Sequence, residues 1–472
     1  MRFLVSLTVA SLAIFGPSAS AETLAVVGGT IIDGNGGKPI DDGVIVIDDK
    51  RIVAVGGKST AIPTQARRIA AAGKFVIPGL MDSNVHLVLD YAPATLVRYD
   101  GRYDEFAIEA AQVALRSGVT TVFDTWGPRR YLVKARDAVN EGRVIASRIY
   151  LAGNIVGLGG PMSENFDMSY PQAREALFDD FSNRIDAEWQ ENVGPELRSM
   201  SPEQVRQEIR KYVQKGVDFV KYAVNDHSKT GNSILFSPRV QQVIVEEAHL
   251  AGKPVTTHTS SVEGVYLAVQ AGVDVMQHCH ATAYPIPAET LALIVQRHIG
   301  CSFFFSSLPK DVKVSESSDQ HASATPSTLE ETDDISNKLA LMHAGAVVLL
   351  MTDGGIFCSN TINSPWWTSW NSPKEGLHML GEGHFLWLLA VERLGMKPMD
   401  ALMAATSNIA KAYKVDKDLG TIEKGKIADL VILDKNPLEG AANYRSITLV
   451  MKEGRVVDRE SLPKAAGRAA GC

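Results

Sequence analysis

The chain has 472 residues, 45% hydrophobic and 21% charged, with a formal net charge of −7. This composition sets it apart from disordered, collagen-like and multi-span membrane chains and provides for a large core beside a smaller domain. The acidic balance leaves no basic stripe and argues against nucleic acid as a partner.

Residues 1–21 have the order of a secretory signal. Arg2 is the positive start, Phe3 to Phe15 form an apolar run too short to span a bilayer, and Ala19-Ser20-Ala21 offer a cleavage site before Glu22. The expectation is a periplasmic or secreted protein with no membrane association after signal removal. Four cysteines, Cys279, Cys301, Cys358 and Cys472, are not spaced as a disulfide framework or a zinc knuckle. Cys279 reads as a small buried residue, and a Cys301–Cys358 bridge stays open.

After the signal, LAVVGGTIIDGNGGKPIDDGVIVIDDKRIVAVG alternates apolar and polar residues between Gly/Asp turns, the pattern of antiparallel strands. The same texture returns in GKIADLVILDKNPL and ITLVMKEGRVVD. The two ends, residues 22–77 and 421–465, are predicted to meet in one small β-sandwich. Between them, residues 78–420 alternate short Val/Ile/Leu/Phe runs with amphipathic helices such as EFAIEAAQVALRSG and SPEQVRQEIRKYVQKG. Ser201 before Pro202 and Ser237 before Pro238 mark helix starts, and Gly118, Gly216, Gly252, Gly272 and Gly345 suit helix ends. The count comes to about eight strands, which predicts a TIM-like (β/α)8 barrel. Residues 157–200 and 309–336 break the rhythm and are predicted as long loops covering the barrel mouth.

Five polar residues each follow an apolar strand: His86 in PGLMDSNVHL, Lys221 in DFVKYAV, His258 in VTTHTSS, His278 in DVMQHCH and Asp353 in LLMTDGG. Strand ends of a barrel share one mouth, so these side chains are expected to converge there. Imidazole and carboxylate suit zinc and related divalent ions. A lysine at a buried strand end loses charge through desolvation and, once neutral, can take up carbon dioxide. Each residue also has a plainer reading: the histidines as satisfied core residues, Lys221 as one half of a barrel ion pair, Asp353 as a helix cap.

The segment PGLMDSNVH resembles the Pro-Gly-Leu-x-Asp-x-His-x-His motif of the metal-dependent amidohydrolase superfamily. The order of Lys221, His258, His278 and Asp353, and the return GTIEKGKIADLVILD, are similar to its branch of imidazolonepropionases and Xaa-Pro dipeptidase-like carboxypeptidases. The resemblance implies one or two divalent ions, zinc first, with a carboxylated Lys221 between them. It implies Asp353 as both ligand and catalytic proton shuttle. Asn84 stands where the family has histidine. It can ligate weakly, leave its site empty so that one ion is held by Lys221, His258 and His278, or mark a degenerate site.

The implied activity is cleavage of a C–N bond in a small amide, an N-acyl amino acid or dipeptide, in carboxypeptidase fashion. Cyclic amides, lactones, and organophosphate or carbamate esters are alternatives on the same site, and a non-catalytic binding protein is an alternative of another class. Substrate contacts are expected from Asn154, Tyr222, His227, Trp366 and Trp367, with Arg98, Arg102 and Tyr103 as candidates for a substrate carboxylate. Apolar faces on outer helices are compatible with a homo-oligomer.

Overall fold

A computed structural model describes residues 22–89, 93–166, 179–227, 233–279, 284–309, 326–357 and 376–464. Residues 1–21, Trp366, Trp367, Cys358 and Cys472 lie outside the described residues. Cys279 and Cys301 are buried free thiols, and the Cys301–Cys358 pairing involves a residue outside the described ones. Among the described residues no helix is long and apolar enough to cross a membrane.

The chain starts with five strands, β1 (Thr23–Ile31), β2 (Ile40–Asp48), β3 (Arg51–Gly56), β4 (Arg67–Ala70) and β5 (Phe75–Pro78). Only Gly79 separates β5 from β6 (Leu80–Val85). A Cβ at Gly79 would stand 2.2 Å from the Thr120 hydroxyl oxygen, so the step from one sheet into the next passes too close to its neighbour for a side chain.

Next come β7 (Val119–Asp124), β8 (Arg148–Leu151), β9 (Val220–Ala223), β10 (Val255–His258), β11 (Val275–Gln277), β12 (Gly300–Phe303) and β13 (Val347–Leu350). They form two parallel sheets, β6-β7-β8 and β9-β10-β11-β12-β13. Every residue of β6, β7 and β9 is buried, as parallel strands covered on both faces require. Parallel bridges at Val156↔Tyr222 and Val85↔Gly354 join the two sheets at their outer edges. The Val156 amide donates to the Lys221 carbonyl at 2.8 Å and the His86 amide to the Gly354 carbonyl at 2.9 Å.

Helices separate these strands. The Pro202–Gln214 helix opens with a capping box: Ser201 caps it, and the reciprocal partner is Gln204, whose side-chain oxygen takes the Ser201 amide at 2.9 Å. Ser237 caps the Pro238–Leu250 helix with its side chain alone, accepting from the Val240 amide. The two predicted loops are partly helical. Residues Asp179–Gln190 form a helix inside the first stretch, and Pro326–Ala344 begins inside the second. Polar composition there disguised helices, and Pro326 suits a helical first turn.

The last strands, β14 (Leu430–Leu433), β15 (Ile447–Lys452) and β16 (Arg455–Val456), return to the N-terminal ones. β14 pairs antiparallel with β5, and one sheet runs β16-β15-β14-β5-β1-β2-β3 with β4 beside β1. Leu24, Val26, Ile45, Ile47, Val76, Leu430, Ile432 and Met451 are buried together there.

A buried ion network couples this sheet to the parallel strands. Arg148 on β8 donates to Asp429 and to Glu453, both at 2.6 Å, with the Arg148 and Asp429 side chains 8% and 6% exposed. Burial alone would raise the Glu453 carboxyl, but Lys452 and Arg148 outweigh it and hold the pKa at about 2. A buried charge left without its partner costs about 3–5 kcal/mol. Arg148→Met is therefore expected to lower the denaturant-unfolding free energy by about that much; a loss below ~1 kcal/mol would show the network to be energetically neutral. The folded pKa of Glu453 lies below its unfolded value of 4.5, so its contribution is present above that value and is lost as pH falls towards about 2. Unfolding curves of wild type and Glu453→Gln should differ at neutral pH and merge in that acid window.

Candidate metal centre

The site lies where β6 and β13 end side by side. Asp82 on β6 takes the Thr352 hydroxyl at 2.6 Å and the Thr352 amide at 3.1 Å. Burial pushes the Asp82 carboxyl up to about 7, against those hydrogen bonds. Two residues on, the Asn84 side-chain nitrogen donates to Asp353 Oδ1 at 2.8 Å, and its oxygen accepts from the Thr125 hydroxyl. His86 Nε2 meets the same Asp353 oxygen at 3.0 Å. Lys221 Nζ, on β9, donates to Thr125 Oγ1 at 3.0 Å. A continuous line thus runs Lys221, Thr125, Asn84, Asp353, His86, drawing on the ends of four strands.

Burial governs the charges along this line. The Lys221 side chain is 2% exposed, and desolvation pushes its amine down to about 8, opposed by Asp353 and Asp124. Asp353 is held well below the usual carboxylate range, because His278, His86 and Lys221 outweigh the burial that would raise it. Desolvation, followed by the Lys221 charge, brings His227 down to about 4 and so keeps it neutral at pH 7.

The remaining predicted ligands stand in a wall of rings. His86 meets Trp126 edge-on at 5.9 Å, Trp126 stacks on Phe166 at 4.1 Å, and Phe166 lies 5.2 Å from His227. His227 to His258 is 3.9 Å, His258 to His278 is 4.8 Å, His278 to Phe304 is 5.3 Å, and Phe304 to His378 is 4.7 Å. Eight rings therefore follow one another in an arc from the end of β6 to the segment after β13. Asp353 touches the first, and its charge acts on His278 and His378.

Of the predicted substrate contacts, His227 is in the arc. Strand alternation turns Tyr222 away from Lys221, and its hydroxyl donates to Gln241 on the Pro238–Leu250 helix at 3.2 Å. Asn154 stands behind the arc's Trp126. Its oxygen takes the Trp126 indole N–H at 3.1 Å and its nitrogen serves the Ile155 and Leu158 carbonyls, so it positions Trp126. Arg98 is exposed, Arg102 pairs with Glu105 at 2.8 Å, and the Tyr103 hydroxyl serves the Leu96 carbonyl, so none of the three faces the arc. Thr125, Trp126, Phe166, Phe304 and His378 were not read from the sequence. Thr125 and Trp126 follow β7 in VTTVFDTW and Phe304 follows β12 in CSFFF, so the strand-end criterion reaches those three; Phe166 and His378 carry no strand signal.

Among the described residues, no group of three or more histidine, cysteine, aspartate or glutamate side chains is arranged to hold a metal ion as it stands. The donor chemistry nevertheless fits one. The Nδ1 of His86 and the Nε2 of His227 are buried without a hydrogen-bond partner among the described residues. The ionised Asp353 is held by hydrogen bonds in the position that a cation would neutralise. Both ends of the Asn84 amide are engaged, its nitrogen by Asp353 and its oxygen by Thr125.

The sequence profile of the amidohydrolase family matches residues 75–457. The solved structure of molinate hydrolase is 36% identical, covers 94% of this chain and 96% of its own, and superposes with a TM-score of 0.83. That of phenylurea hydrolase B is 34% identical, covers 94% and 98%, and has a TM-score of 0.84. Ochratoxinase of Aspergillus niger is 24% identical over 462 residues, 92% of this chain and 87% of the relative. With eight parallel strands in two bridged sheets and a half-buried aspartate after the last, the chain belongs to the amidohydrolase family and is a hydrolase of C–N bonds.

Proposed function

We propose that this chain is an exported, metal-dependent amidohydrolase acting on a small carbonyl compound with a flat, apolar substituent, an aryl urea or anilide in first place. The arc of eight rings ending on both sides of Asp353 carries this reading. Ring faces suit a planar group, and the site as described offers few charges beyond Asp353 and Lys221. The names of two relatives above 30% identity over nearly the whole chain, a hydrolase of molinate and one of phenylurea, support the choice. The pattern of residues 1–21 supports export to the periplasm or medium.

The bridges at Val156↔Tyr222 and Val85↔Gly354 support a closed (β/α)8 barrel over residues 78–420. β1 pairs with β4 through its first half and with β5 through its end, a fork that supports a two-layered sandwich from residues 22–77 and 421–465. In this reading His86, Lys221, His258, His278 and Asp353 would hold a divalent ion, zinc by donor type, with Lys221 carboxylated. When bound, the ion supplies Lewis-acid polarisation of the carbonyl and acidifies water. Asp353 takes the proton of the attacking water and delivers it to the leaving nitrogen. Because His86 and Asn84 both address Oδ1, Oδ2 is the oxygen assigned to carry that proton. Asn84 aims Asp353, and one ion is expected.

A second reading, carboxypeptidase-like action on an N-acyl amino acid or dipeptide, is favoured by Arg198. Its Nε donates to the Gly157 carbonyl at 2.7 Å, while its Nη2 is buried without a partner among the described residues. A substrate carboxylate would satisfy it.

Elemental analysis of the purified protein, together with hydrolysis of aryl ureas, anilides and N-acyl amino acids, tests both readings. The expected outcome is about one divalent ion per chain and turnover of an aryl urea or anilide. Turnover of N-acyl amino acids alone would support the second reading, and a metal-free protein that is fully active would remove the metal. Asp353→Asn should lower kcat at least about a thousandfold with the fold retained. Thr125→Val, which cuts the link between Lys221 and Asn84, should cost about 10–100-fold in kcat, while Thr125→Ser stays near wild type.

A further inference from the structure

His378 has a more defined setting than any other group in the pocket left without a role. It follows β13 by sequence but is fastened to both sides of Asp353. Its Nδ1 lies 2.8 Å from the Thr352 carbonyl, one residue before Asp353. Its own carbonyl takes the Gly355 amide at 3.2 Å, two residues after Asp353, and the Leu380 amide returns to the Gly355 carbonyl at 3.1 Å. The ring lies flat on Phe304, with centroids 4.7 Å apart and planes 21° from parallel. Three contacts therefore fix its position and its tilt.

They also fix its tautomer. A carbonyl oxygen only accepts, so Nδ1 carries the hydrogen and Nε2 keeps a lone pair. The residue is 6% exposed, and its Nε2 is buried with no hydrogen-bond partner among the described residues. An unmade hydrogen bond in such a place is costly, so the atom calls for a donor. Its charged neighbour Asp353 is also acceptor-only. A ligand that satisfies both must bring hydrogens on nitrogen or oxygen to this side of the pocket. In an amide or urea, the leaving nitrogen is the group that approaches Asp353.

Resting on the hydrolase reading above, we infer that His378 is a specificity-determining residue whose Nε2 accepts a hydrogen bond from the N–H of the scissile amide or urea, so that the enzyme selects secondary over N-alkylated substrates. Phe304 backs the ring that reads this hydrogen. His378 leaves the proton where it is and discriminates by position.

The test is a pair of substrates, a secondary anilide and its N-methyl counterpart, with wild type, His378→Phe and His378→Gln. Phe keeps the stack on Phe304 and removes the acceptor, while Gln restores one. Wild type should prefer the N–H substrate in kcat/KM by about 100-fold. In His378→Phe that preference should shrink to within about threefold through loss on the N–H substrate alone, with metal content unchanged; the lost Nδ1 bond to Thr352 lowers the thermal midpoint without choosing between the substrates. His378→Gln should regain part of it. Equal losses on both substrates, or none on either, would overturn the inference. If wild type cleaves neither compound, the hydrolase reading is what fails. The same pair is then compared as ligands by calorimetry, where only a wild-type preference for the N–H compound that His378→Phe abolishes supports the inference.

Discussion

The contact between Asp353 and the pair His86 and Asn84 spans more than half the chain in sequence and about 3 Å in space. Much of the architecture follows from it. A half-buried ionised carboxylate is stabilised by its partners, which hold the ends of β6 and β13 in one register. That register is the bridge Val85↔Gly354. It leaves no room for side chains on the following turn: a Cβ at Gly355 would stand 2.8 Å from the Leu89 carbonyl, and one at Gly354 would stand 3.1 Å from that of His378. The glycines after Asp353 are there because the electrostatic pairing draws two backbones together.

The two ends of the parallel strands meet opposite demands. At the chemical end, charges are buried with few partners, and Lys221 and Asp82 have pKa values of about 8 and about 7 as a result. At the other end Arg148, Asp429, Lys452 and Glu453 satisfy one another and tie the strands to the terminal sheet. The first arrangement leaves groups ready for ligands and the second supplies rigidity. They are separated by the length of the strands, so the second can stiffen the scaffold without entering the pocket.

How far the sequence reveals this depends on whether a residue's role follows from strand phase. His86, Lys221, His258, His278 and Asp353 each end or follow an apolar run, and the parallel sheets bring those run ends to one side. Tyr222 is one residue of phase from Lys221, which on a strand means the opposite face. The side-chain polar atoms of Asn154 serve its own surroundings, a fact that only three-dimensional hydrogen bonding reveals. His378 was invisible because its place depends on a chain reversal after β13 that brings it back to Thr352. The helices in the two supposed loops were hidden by polar sequences whose apolar face is short.

One backbone feature has a wider reach. His278 and Asp353 both sit at positive φ, +67° and +53°, where most side chains are strained. Asparagine, aspartate, histidine and glycine tolerate that conformation best, and branched residues least. Drift at these two positions is therefore screened by main-chain geometry before any ligand is met. The alphabet open to mutation there is small, polar and rich in donor atoms, so the scaffold itself biases neutral variation towards groups that can still bind a cation.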